Sequence, residues 1–140
     1  MSIWFQRLVL GAAGITALGI GTAIAVAPAA FYAAYGIAFG TGPDLLSELR
    51  APGANLAVLG ALILAGAVRS RMMKLSAAVG AVVFLAYAAG RFVGVVLDGV
   101  PSDGIVFAMA IELVLGGLCA ATLRHAGLNR SLANQPGIPA

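Results

Sequence analysis

The sequence predicts an all-α integral membrane protein, a bundle of four transmembrane helices. Three observations lead there. Hydrophobic residues make up 61% of the 140 residues and charged residues 9%, with a mean hydropathy of +1.04, whereas a soluble domain is about one-quarter charged. Four continuous apolar runs approach or exceed the ~20 residues needed to cross ~30 Å of hydrocarbon. None of them alternates polar with apolar residues, so they read as helices rather than barrel strands, and a helix satisfies its own backbone in lipid.

The first run, "LVLGAAGITALGIGTAIAVA", covers residues 8–27. Arg7 before it and "AVAPAA" at its end imitate a secretory signal, but the apolar core exceeds the usual ~7–15 residues. It is therefore read as a retained helix. Phe31, Tyr35 and Phe39 then recur every four residues, which predicts a helical stretch along the membrane interface, most simply an aromatic anchor belt. The second run covers residues 45–68 and carries Glu48, Arg50, Pro52, Gly53 and Asn55 in its first half. Starting it only at Gly53 would leave ~24 Å of helix, too short to span. The helix is expected to continue through Pro52 as a kink that frees the Glu48 carbonyl region. The third run, residues 75–97, contains Arg91, and the fourth, residues 105–123, contains Glu112. One transmembrane domain, residues 1–128, is thus followed by a polar, flexible tail, residues 129–140.

Charge sets an orientation. Arg7, Arg69, Arg71, Lys74, Arg124 and Arg130 lie at one end of the predicted bundle, and Asp44, Asp98 and Asp103 lie at the other. Positive residues stay inside, which puts both termini and "RSRMMK" in the cytoplasm. The Ala- and Gly-rich composition fits a high-GC bacterium, hence its inner membrane; that step is analogy. The net charge of +3 forms no basic stripe, so no nucleic-acid partner is expected. Cys119 cannot form an intrachain disulfide and reads as a small apolar filler. His125 has no second histidine with which to share a metal.

Depth brings distant residues together. Arg91 falls ~9 Å below the outer end of its run and Glu112 ~10 Å below the same end, at 1.5 Å per residue. Each alone would cost ~2.5–3.5 kcal/mol at mid-membrane, so pairing is expected, with the guanidinium fork on the carboxylate. Glu48, Arg50, Asn55 and Asp98 lie in the same outer half and complete a predicted polar cluster. Small residues recur at helical spacing: Ala13, Ala17, Gly21 and Ala25; Ala57, Ala61 and Ala65; Ala86, Gly90 and Gly94; Ala108, Gly116 and Ala120. Gly90, Gly94, Ala108 and Gly116, beside the charges, are predicted to pack helix on helix.

The stretches "SELRAPGANLAVLGALIL", "GRFVGVVLDGVPSDG" and "IELVLGG" resemble the family of small bacterial four-helix membrane proteins known as domain of unknown function 4345. The resemblance runs from the first helix through the fourth and leaves out the tail. It implies the fold, and matches Glu48, Arg50, Arg91, the Asp98–Gly99 pair and Glu112, but implies no activity.

The residues supply no cysteine pair, phosphate loop or Ser-His-Asp set, so no enzyme, cofactor or metal site is expected. Two readings remain. Small-residue stripes on all four helices favour an accessory or stabilising subunit of a larger bacterial envelope complex, for instance one handling lipids. The broken helix and buried charges favour a small transporter or lipid-binding protein using the outer polar cluster.

Overall fold

Four long helices and one short one follow each other in a computed structural model, which describes the backbone of residues 1–133 and the side chains of residues 1–125. Helix α1 (Ile3–Val26) is capped by Ser2, whose hydroxyl accepts from the Phe5 N–H at 3.3 Å. Pro28 lacks the N–H that would continue α1, and the chain turns at Ala27 into the short α2 (Pro28–Ala33). Helix α3 (Pro43–Val68) opens with Pro43 and Asp44 in its first turn, residue types suited to a helix N-terminus. A 3₁₀ turn (Ser70–Met72) leads to α4 (Met73–Asp98), which stops at Gly99, where φ is +97°. Helix α5 (Asp103–Ala133) completes the chain, and no strand occurs among the described residues.

Four segments are long and apolar enough to cross a membrane: Ile3–Val26, Pro43–Val68, Ser70–Asp98 and Asp103–His125. The helices run past the ends of the apolar stretches that announce them, because hydropathy marks only the hydrocarbon portion of a helix that continues into the interface. Two expectations need correction. Helix α5 extends through Ala133, so the first residues of the predicted flexible tail are helical; residues 134–140 lie outside the described residues. The aromatic stripe is not one helix either: α2 ends at Ala33 and Gly36 turns the chain at φ +73°. Tyr32 and Phe39 still meet, at 5.5 Å between ring centroids, across that turn.

Helices α1 and α3 form one antiparallel pair, α4 and α5 a second, and α3 joins the pairs through α4. The α1–α3 seam is built on glycine. A Cβ at Gly21 would run into the Ala57 backbone, and one at Gly60 into the Leu18 backbone; the helices approach too closely for any other residue at those points. Predicted stripe members Ala13, Ala17 and Gly21 are buried here, but Ala61 is exposed, since α3 turns Gly53, Leu56, Gly60 and Ile63 inward instead.

The core occupies the end of the bundle where the chain begins. Leu10, Ala13, Ile63, Ser76, Ala77, Cys119 and Thr122 are fully buried there. The Ser76 hydroxyl donates to the Leu62 carbonyl at 2.7 Å, tying α4 to α3, and the Cys119 sulfur fills the space beside Gly80. Burial then divides. It continues along α1 to Ile24 and along α3 back to Gly53, but in α4 it stops at Ala88, and α5 has no buried residue before Gly116. The two pairs are closed at one end and stand apart at the other.

Candidate functional site: a cavity between the helix pairs

Where the pairs separate, a cavity of about 760 Å³ opens between them. Helix α1 contributes Thr16, Ile20 and Ile24, and α3 contributes Pro52, Gly53 and Leu56. Phe31, Tyr32 and Tyr35 close one side. Phe31 sits at the centre of these rings, 5.3 Å from the Tyr32 ring edge-to-face and 5.4 Å from Tyr35. Helix α4 presents Phe84, Tyr87, Gly90 and Arg91, and α5 presents Ile105, Phe107, Ala108, Ile111 and Glu112. Tyr87 and Arg91 stand one turn apart on the same face, as do Ala108 and Glu112.

The expected pair is present: Arg91 Nε donates to both Glu112 oxygens, at 3.0 Å and 2.9 Å. Its geometry differs from the expected fork. Only Nε engages the carboxylate, and among the described residues neither terminal amine of Arg91 donates a hydrogen bond. The side chains are 30% and 12% exposed respectively. The carboxylate is therefore covered while the guanidinium keeps an open edge.

The rest of the predicted cluster does not assemble. Glu48 and Asn55, two turns apart on α3, share a face opposite Gly53, Leu56 and Gly60 and are exposed. Asp98 is exposed at the end of α4. Their place in the outer half brought them into the prediction; helical phase turns Glu48 and Asn55 away from the pair. Asp98 shares the Arg91 face of α4 but lies two turns, ~10 Å, further along at the helix end. Arg50 instead closes the end of α1, where its Nη1 donates to the Ala25 and Val26 carbonyls at 2.9 Å and 3.0 Å. Those carbonyls are left over where Pro28 ends α1, and a cation there also meets the negative end of the helix dipole. Helix α3 runs unbroken through Pro52.

Two of the four predicted packing positions are corrected. A Cβ at Gly90 would meet no atom within 4 Å, and one at Gly94 only its own helix's Asp98 Oδ2 at 3.9 Å. The pairs have already parted at that level, so no helix lies against either glycine. Gly116, by contrast, packs directly on α4, where a Cβ would come within 2.8 Å of Leu85. Ala108 lies on the cavity wall. Sequence reading missed Gly14, Gly53 and Gly60, whose seven-residue spacing (14 and 21, 53 and 60) was the available signal. It also missed Tyr87 and Phe84, which carry no signal in an apolar run.

At the opposite end, Arg7 Nη2 donates to Ser70 Oγ at 3.0 Å, and its guanidinium lies 5.9 Å from the Trp4 ring centroid. His125 is exposed. Among the described residues no three His, Cys, Asp or Glu side chains gather closely enough to hold a metal.

Four spanning helices, a core that joins all four only at one end and a charge pair at depth define the class: a multi-pass, all-helical membrane protein. Within it, the chain belongs to the family described as domain of unknown function (DUF4345), whose model matches residues 5–123. That range reaches all four spans, ending at Leu123 in the last. No curated protein and no solved structure matches the chain.

Proposed function

We propose that the protein is a non-enzymatic membrane protein that holds a lipid-like molecule in the cavity between its helix pairs. The observation that carries this reading is the cavity itself: about 760 Å³, mostly apolar, aromatic on one side and bearing a charge pair on its wall. Small-molecule sites typically span ~300–1,000 Å³ and combine apolar walls with a few placed polar groups. Basic residues Arg69, Arg71, Lys74 and Arg124 at the closed end favour a cytoplasmic location for that end in a bacterial inner membrane, with both termini inside. The cavity would then open at the level of the outer leaflet.

Native mass spectrometry of protein extracted from membranes tests this. Wild type should retain a lipid-sized adduct. Gly90→Trp, which puts an indole where a Cβ meets nothing, should fold but lose it. Equal adducts in both proteins, or none in wild type, would reject the reading.

A second reading, a subunit of a larger envelope complex, draws on one observation. A shallow groove of about 690 Å³ runs along the outer face of α1, past Gly19, Thr22 and Ala23. A Cβ at Gly19 meets nothing within 4 Å, so a partner helix could approach closely there. The other small-residue positions weigh less than they did in sequence, because Gly21, Gly53, Gly60 and Gly116 are used within the bundle. A stoichiometric partner retained in mild detergent, and lost in Gly19→Leu, would support this reading; a clean monomer would oppose it.

A further inference from the structure

The arrangement at Arg91 specifies which lipid-like molecule the cavity takes; this inference rests on the cavity reading above. A guanidinium carries five N–H donors in a fixed plane. Glu112 accepts from Nε alone, and the remaining N–H groups on the two terminal amines have no acceptor among the described residues. They belong to a side chain that lines the cavity and is 30% exposed. At membrane depth water is scarce, and a donor without an acceptor is costly. Glu112 is differently placed: both its oxygens already accept from Nε, and only 12% of its side chain is exposed. The charged part of the wall therefore offers donors and asks for an acceptor.

Charge narrows the class. The Arg91–Glu112 pair is neutral as a unit. An anionic head bound to its open edge would leave one uncompensated negative charge in an apolar cavity, at a cost the contact would have to offset. An uncharged acceptor, such as an ester or ketone oxygen, takes the same hydrogen bonds without that cost. Size narrows it further. The volume lies within the small-molecule range, and a two-chain phospholipid brings about twice the apolar bulk of a one-chain lipid. The rings of Phe84, Tyr87 and Phe107 line the cavity on the α4 and α5 side and leave an apolar chain flat surfaces to lie against.

The geometry points to an uncharged, single-chain amphiphile, its head oxygens accepting from the terminal amines of Arg91 and its chain lying between the helix pairs. Three probes sharing a long apolar chain separate the possibilities: monoolein with an uncharged ester head, oleate at pH 9 with an anionic one, and 1-octadecene with no acceptor. Binding is measured in nanodiscs to wild type and to the uncharged double variant Arg91→Leu/Glu112→Leu. Wild type should bind monoolein at least ten-fold more tightly than either other probe. The double variant should lose that preference while still binding 1-octadecene, which shows that its cavity persists. If oleate binds wild type best, or the double variant keeps its preference for monoolein, the assignment of the head group is overturned and the cavity reading stands. If no probe binds wild type, the cavity reading itself fails. Should the double variant not fold, the ranking of the three probes on wild type decides the matter alone.

Discussion

Arg91 can remain charged at its depth because Glu112 meets it from the next helix, at 2.9 Å and 3.0 Å from Nε. Removing one partner strands the other. Glu112→Gln should destabilise the protein by about 1–3 kcal/mol, read by unfolding in a denaturing detergent series. Adding Arg91→Gln should recover part of the loss, with a coupling of about 1 kcal/mol, within the range of polar pairs between membrane helices; strictly additive losses would contradict direct contact. Arg50 makes a different prediction. Its hydrogen bonds to Ala25 and Val26 cap α1, so Arg50→Ala should cost about 1 kcal/mol by the same assay, and Arg50→Lys should cost less. The pair was legible in sequence because both members sit at one depth in adjacent runs. The cap was not, because nothing in "SELRAPGANL" says which face Arg50 takes or that α1 ends opposite it.

Among the elements, the α1–α3 pair is the tightly seamed one, and glycine makes it so. The same substitution should have opposite effects at two sites. Gly60→Ala places a methyl against the Leu18 backbone and should lower stability by about 1–3 kcal/mol. Gly90→Ala meets nothing within 4 Å and should raise stability by up to about 1 kcal/mol, through helix propensity alone. Thermal unfolding of both variants checks the contrast; equal effects would mean the seam is looser than its geometry. The existence and order of the spans were legible, since hydropathy reports burial in lipid directly. The seam was harder to read. In a chain with 19 glycines, stripes arise on every helix, and a stripe does not say whether it faces another helix, a cavity or lipid.

At the scale of the whole molecule, the bundle is closed where the chain begins and open where α4 and α5 are joined. The basic residues at the closed end predict its side of the membrane. A fluorescent-protein fusion after Ala140 should fluoresce in the cytoplasm, and an alkaline phosphatase placed in the Gly99–Ser102 turn should be active outside; the reverse pattern would invert the orientation. The opening itself could not be read from sequence. Apart from Arg91 and Glu112 its walls are mostly apolar and aromatic residues. It shows as an α5 with no buried position before Gly116, a property of how two pairs lean rather than of any residue type. Whether that opening holds a lipid-like molecule is the central question. The direct measurement is crosslinking with a single-chain diazirine lipid in nanodiscs, mapped by mass spectrometry. Occupancy predicts adducts on Tyr87 and Ile111 that fall at least ten-fold in Gly90→Trp, while adducts on lipid-facing Val82 and Val114 stay unchanged. Uniform labelling of both sets, insensitive to Gly90→Trp, would contradict it.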